Sequence, residues 1–264
     1  MGRILSRLEQ LQEKLRRRSP VLATTIANLA WSGLIQKAAS YPIDLMILDL
    51  EHGTLSVESA EELLRVCRLC DLPAAVRVPD TVPHLISKAL DIGADGVLLP
   101  RVERVEQVEL AIRAARYYPA GRKGCGGFSN FRPEDHGSVM QYNGNRLLFL
   151  QMESREGLEA LPQILGRFRT ELSGVVIGPY DASIMLETPL EIESGEMTAF
   201  IRRVFAHCAE SGISCGSFVD HAGLLQRYLE LGANIFWTGT ELSLLDGAYH
   251  SLCQRFRQTV LEGK

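Results

Sequence analysis

Residues 45–50 read Leu45-Met46-Ile47-Leu48-Asp49-Leu50 and run directly into Glu51-His52-Gly53. The apolar run Leu45–Leu48, without the polar alternation of a half-exposed strand, describes a β-strand covered on both faces, as in a parallel sheet. The polar side chains begin where the strand ends, so two acids and a histidine are delivered to one edge of that sheet.

Seven further runs of the same kind lie outward from this stretch, at residues 21–27, 74–78, 96–100, 147–152, 174–178, 213–219 and 233–238. The segments between them are amphipathic and read as helices over 56–69, 82–92, 105–117, 156–168, 198–211 and 222–231. Two of these end alike, at Ile92-Gly93-Ala94 and Leu231-Gly232-Ala233, each with glycine where a helix closes into a left-handed turn. Repeated strand–helix units predict an α/β fold, and eight of them in 264 residues fit a (β/α)8 TIM barrel. Pattern alone does not separate eight-stranded closure from an open doubly wound sheet.

The chain reads as one domain: a leading helix in residues 1–19, the barrel in 20–245 and a C-terminal helix in 246–264. Ile4, Leu8, Leu11 and Leu15 form one stripe of the leading helix, which is expected to cover one end of the barrel. Residues 119–145, rich in Gly, Pro and Asn, are expected to be irregular; a loop of that length usually serves as a lid or a subunit contact.

A formal charge of -4 gives no field to gather nucleic acid or an anionic membrane, so the expected partner is a small molecule. The first twenty residues lack the apolar stretch of a secretory signal and no run is long enough to span a bilayer, which predicts a cytoplasmic protein. Six scattered cysteines are too few for a disulfide scaffold, and the Cys67/Cys70 pair, on a helix without a second pair, is read as core packing.

In a (β/α)8 barrel the active site forms at the carboxyl ends of the strands. Strand two supplies Asp49, Glu51 and His52, strand three Arg77, strand five Gln151 and Glu153, and strand six Gly178, Pro179, Tyr180 and Asp181. Glu153 and Asp181 on neighbouring strands would repel unless a cation lies between them, and a hard divalent ion takes oxygen ligands while leaving positions for substrate. An ordinary ion pair of Glu153 with Arg155 is the plainer alternative. His52 suits acid–base work, with Asp49 or Glu51 setting its tautomer. Arg77 presents a planar fork suited to a carboxylate or a developing enolate oxygen, or else pairs with an acid such as Glu51. None of the five lysines lies on a predicted strand, which argues against a Schiff-base aldolase. Nucleotide-phosphate motifs are also missing.

Asp49-Leu50-Glu51-His52-Gly53, Val76-Arg77-Val78-Pro79, Gln151-Met152-Glu153-Ser154 and Gly178-Pro179-Tyr180-Asp181, in this order and at strand ends, resemble the class II pyruvate aldolases. These are the hydroxyketoheptanedioate and 2-dehydro-3-deoxyglucarate aldolases of the HpcH/HpaI aldolase/citrate lyase family. The likeness spans roughly residues 20–245. It implies a lyase that cleaves a 4-hydroxy-2-oxoacid to pyruvate and an aldehyde, or the reverse, through a pyruvate enolate on a divalent metal such as Mg²⁺, Mn²⁺ or Co²⁺. It also implies that Glu153 and Asp181 ligate the metal, Arg77 stabilises the enolate, and His52, oriented by Asp49, moves the proton. Gln151 and the backbone about Tyr180 would bind the 2-oxoacid, pyruvate or oxaloacetate. A homohexamer, a trimer of dimers exchanging their last helix, is implied as well. The loop Gly126-Gly127-Phe128-Ser129-Asn130-Phe131-Arg132 departs from the family pattern, as does Gly239-Thr240-Glu241, where glycine followed by Asp is usual. Other readings are an oxaloacetate-decarboxylating enzyme of the same family, a non-catalytic binding or assembly barrel, and a phosphosugar enzyme using Gly216-Ser217 and Gly239-Thr240.

Overall fold

A computed structural model describes residues 5–126, 131–132, 135 and 137–261. All eight expected strands form: β1 (Val21–Ile26), β2 (Leu45–Asp49), β3 (Ala74–Arg77), β4 (Gly96–Leu99), β5 (Leu147–Met152), β6 (Gly174–Ile177), β7 (Cys215–Val219) and β8 (Ile235–Thr240). Each pairs in parallel with its neighbours in sequence, and β8 pairs with β1, so the sheet closes into a barrel. That closure settles what the pattern left open.

The helices, in chain order, are α1 (Arg7–Arg16), α2 (Ser32–Ala39), α3 (Val57–Leu69), α4 (Pro83–Asp91), α5 (Val105–Ala115), α6 (Val139–Asn145), α7 (Arg155–Phe168), α8 (Pro179–Met185), α9 (Gly195–Glu210), α10 (Ala222–Glu230) and α11 (Glu241–Phe256). Three of them correct the sequence reading. α2 and α8, of 8 and 7 residues, are too short to show a period, and α6 lies inside the stretch expected to be irregular. Gly93 and Gly232 take φ of 111° and 94°, the left-handed turns expected after α4 and α10.

Two layers of core result. Strand side chains facing outward pack under the helices, including Leu48, Val76, Leu99, Leu150 and Ile177. Those facing inward, such as Ile47, Leu98, Phe149 and Val176, fill the barrel together with Leu8, Leu11 and Leu15 of α1. α1 therefore plugs the amino-terminal end of the barrel, fixed by a capping box between Ser6 and Glu9. It is shorter than the stripe suggested, and Ile4 lies outside the described residues. Cys67 is buried on α3 as expected, while Cys70 is only half-buried at that helix's end. With one end plugged, the carboxyl ends of the strands form the open mouth. Among the described residues no helix is long and apolar enough to cross a membrane.

Candidate active site

The mouth encloses a cavity of about 420 Å³, lined among others by Thr25, Asn28, His52, Arg77, Asp181 and Trp237. Every strand end predicted to carry chemistry reaches it or its immediate wall.

Arg77, the last residue of β3, is opposite Asp49, the last of β2, in the parallel register. Asp49 accepts from Nε at 2.8 Å and from Nη2 at 2.5 Å, so the guanidinium is held by both prongs. Its third nitrogen, Nη1, lies 3.3 Å from Glu51 Oε2, and its face covers the Trp237 ring at 5.3 Å. Burial disfavours the charge here, but the bonds from Asp49 and the charges of Asp49, Glu51 and Glu153 prevail and hold the Arg77 pKa above its ordinary value. The salt bridge weighed as the plainer role of Arg77 thus exists. It fixes the guanidinium at the mouth.

Asp49 is not beside the imidazole. Its Oδ1 accepts the backbone N–H of Glu51 at 3.0 Å and of His52 at 3.3 Å, so it shapes the turn after β2 through the main chain. The His52 ring, half-exposed, instead puts Nε2 3.4 Å from Asp181 Oδ2 and 4.0 Å from Glu51 Oε2. The expectation that Asp49 orients the ring is corrected accordingly: Arg77 occupies the Asp49 carboxylate, leaving Asp181 and Glu51 as the acids facing His52.

Glu153 follows β5 directly and is 2 % exposed. Its Oε1 accepts from Gln151 Nε2, and its Oε2 accepts the Arg101 backbone N–H at 3.1 Å. Arg155 does not pair with it; that side chain reaches Glu196 on α9. Burial, then the charges of Asp181 and Glu51, push the Glu153 carboxyl up to about 7. Glu51 is also raised, by burial first, against the pull of Arg77, His52 and Arg101. The pocket thus concentrates acid without enough compensating charge. Among the described residues, the buried acceptors Glu51 Oε2 and Gln151 Oε1 have no hydrogen-bond donor.

Gly178, the residue before α8, explains how this packing is possible. A Cβ there would stand 2.3 Å from Glu153 Oε1 and 2.5 Å from Gln151 Nε2, so only glycine lets both side chains lie across the end of β6. Pro179 starts α8, no side chain caps the first turn, and Asp181 projects from it. Tyr180 lines the cavity, donates to Asp220 and packs against Phe218 at 6.3 Å between ring centres.

An oxygen-rich set with a raised carboxyl and acceptors short of hydrogen-bond donors fits a hard divalent cation. Among the described residues no group of three or more His, Cys, Asp or Glu side chains converges in metal-ligand geometry. Two carboxylates, with water and substrate filling the other positions, are enough for Mg²⁺, and Glu153 and Asp181 are the pair that would hold it.

Sequence reasoning missed Arg101, Trp237 and Thr25. Arg101 pairs with Glu51 at 3.3 Å and follows β4, so the strand-end rule applied to that strand would have found it. Trp237 donates to Thr25 Oγ1 at 2.5 Å across the β1–β8 seam, and nothing local in the sequence signals that pair. The residues weighed for a phosphate site have other duties: Ser217 Oγ donates to Ile177 O at 3.2 Å, and Thr240 caps α11.

The profile of the HpcH/HpaI aldolase/citrate lyase family matches residues 27–247. A 4-hydroxy-2-oxo-heptane-1,7-dioate aldolase of Escherichia coli is 30 % identical over 235 residues, covering 86 % of this chain and 88 % of that protein. A hydroxypyruvate/pyruvate aldolase of Roseobacter denitrificans is 28 % identical over 219 residues, covering 81 % and 84 %. The crystal structure of an HpcH/HpaI aldolase from Desulfitobacterium hafniense superposes with a TM-score of 0.85 at 23 % identity, covering 94 % of this chain and 96 % of that one. With the strand-end acids, the locked arginine and the histidine all in one mouth, the chain belongs to the HpcH/HpaI aldolase/citrate lyase family.

Proposed function

We propose that this protein is a carbon–carbon lyase that cleaves a 4-hydroxy-2-oxoacid into pyruvate and an aldehyde, or joins them, with a divalent metal held by Glu153 and Asp181. The observation that carries this reading is the acid pair at the ends of β5 and β6, where burial and the neighbouring charge raise Glu153 to about 7 beside a locked guanidinium. The family membership and the names of the relatives support the lyase class.

Bound there, Mg²⁺, Mn²⁺ or Co²⁺ supplies Lewis-acid polarisation of the 2-oxoacid carbonyl. The protein's own groups do the rest. Arg77, immobilised by Asp49, presents its donors to negative charge developing on the ketone oxygen as the C3–C4 bond breaks. His52 Nε2 accepts the proton of the 4-hydroxyl, the electron pair of the broken bond becomes the pyruvate enolate, and C3 then takes up a proton. The half-exposed ring exchanges with solvent between turnovers. Gln151 fixes Glu153, and the uncapped first turn of α8, at Pro179, Tyr180 and Asp181, receives the substrate carboxylate.

The chain is further read as one barrel domain that acts in the cytoplasm as an oligomer. Of α11 only Glu241 is buried, while Leu242, Leu244, Tyr249, Leu252 and Phe256 are exposed along it. An amphipathic helix with its apolar side chains in water calls for a partner, and a second copy exchanging the same helix supplies one, in keeping with a trimer of dimers.

The test is pyruvate release from a panel of 4-hydroxy-2-oxoacids, and aldol addition of pyruvate to a panel of aldehydes, before and after chelation. The expected result is turnover that chelation abolishes and Mg²⁺, Mn²⁺ or Co²⁺ restores. A metal-free enzyme with undiminished turnover, or no turnover in any state, contradicts it.

A further inference from the structure

A buried carboxylate beside the mouth belongs to none of the groups assigned so far. Glu241 is the first residue of α11 and is 3 % exposed. It accepts three consecutive backbone amides from the segment after β1: Ala27 N at 3.1 Å on Oε2, Asn28 N at 2.5 Å and Leu29 N at 3.0 Å on Oε1. Successive amides converging on one anion form a strong, directional clamp, because each bond is charge-assisted. The β1–β8 pairing shifts register between Ala23 and Thr25, and Thr24 Oγ1 donates to Gly239 O at 2.8 Å, which brings the start of α11 against the exit of β1.

The clamped segment supports the next turn along. Ala27 O accepts from Thr54 N at 2.9 Å and Leu55 N at 3.2 Å, and Thr54 Oγ1 donates to Asn28 O at 3.2 Å. Gly53, at φ 99°, lies so close that a Cβ would be 2.3 Å from Ala27 O. His52 is the residue immediately before it. Ala27 and Asn28 themselves line the cavity.

We propose that Glu241 is a positioning residue: its carboxylate holds residues 27–29, and through them the turn at residues 53–55, so that His52 meets Asp181 and the substrate hydroxyl. This rests on the acid–base role given to His52 above. It also ties the direction in which α11 leaves the barrel to the geometry of the mouth, since one residue serves both.

The test uses the full-length, metal-loaded protein and two variants. Glu241→Gln keeps the shape but turns an amide nitrogen toward a backbone N–H; Glu241→Asp keeps the charge and acceptors. Amide hydrogen exchange is expected to quicken at residues 27–29 and 53–55 in Glu241→Gln and to remain near wild type in Glu241→Asp. A displacement of catalytic geometry on the ångström scale is worth up to about 100-fold in rate, so kcat for pyruvate release is expected to fall by about tenfold or more. KM for the 2-oxoacid should stay within about threefold, since Arg77 ends β3, Glu153 follows β5 and Asp181 sits on α8, away from the clamped segment. In a His52→Asn background Glu241→Gln should change kcat no further, because the two act through one group. Unchanged exchange at residues 53–55, an unchanged kcat, or an equal further loss in the His52→Asn background would overturn the proposal. If the wild-type protein releases no pyruvate, the aldolase reading fails by itself, and exchange at residues 53–55 still decides whether Glu241 holds the turn.

Discussion

Replacing Gly178 by alanine puts the acid pair under the sharpest strain. Gly178 has φ -89° and ψ 95°, a conformation open to alanine, so the substitution acts through crowding and not through the backbone. Its new methyl would stand 2.3 Å from Glu153 Oε1 and 2.5 Å from Gln151 Nε2, against 3.4 Å for ordinary contact. The carboxylate must therefore retreat by about 1 Å, a displacement that costs up to about 100-fold when it moves catalytic geometry. Overpacking of this kind costs about 1–3 kcal/mol of stability, which a barrel of this size tolerates. Two assays read the result: kcat/KM for pyruvate release, and the Kd for Mn²⁺ from direct titration. Both should worsen together, by about tenfold to 100-fold. A folded Gly178→Ala protein with both quantities within about threefold of wild type would show that Glu153 does not work from its place across the end of β6.

Arg77→Lys exchanges a two-pronged donor for a point charge, so kcat should fall about 100-fold in steady-state kinetics, and a kcat near wild type would remove the arginine from the reaction. Glu153 titrates near 7 in the folded chain against an ordinary 4.5. The folded protein therefore keeps a proton that the unfolded chain has lost, and stability from this group falls as pH rises from about 4.5 to about 7, by about 3 kcal/mol, then levels off. Denaturation of chelator-treated protein at both ends of that range should show this loss in wild type and not in Glu153→Gln; parallel curves would contradict it. Metal uptake competes with the same proton, so the apparent affinity for Mn²⁺ should rise about tenfold per pH unit up to about 7. Leu252→Glu combined with Phe256→Glu places charge on the exposed side of α11 and should shrink the particle in light scattering, whereas an unchanged mass would place the subunit contact elsewhere.

The strands and most helices were legible because the interior imposes continuous apolar runs on buried strands and a regular stripe on the helices that cover them. Residues 45–48 and 147–150 carry that signature without interruption. The acids and Arg77 were legible for a related reason: polar side chains directly after such runs have nowhere to go but the mouth. What one strand end does to another was not written locally. Asp49 ends β2 and precedes His52 by three residues, so proximity in sequence suggested a bond to the ring. In space the register sets Asp49 opposite Arg77, and the stronger partner claims the carboxylate. Glu241 was passed over because its three partners lie more than 200 residues away in sequence. Its short spacing after Gly239 registered only as a departure from the usual pattern. The short helices α2 and α8 offer too few turns for a period to emerge.

The proposed chemistry depends above all on Glu153 and Asp181 sharing one divalent ion. Anomalous diffraction from crystals grown with Mn²⁺ would locate it directly. A single strong peak is expected within bonding distance of a carboxylate oxygen of each, lost in Glu153→Ala. A peak elsewhere in the mouth, or one that Glu153→Ala leaves in place, would contradict the shared site.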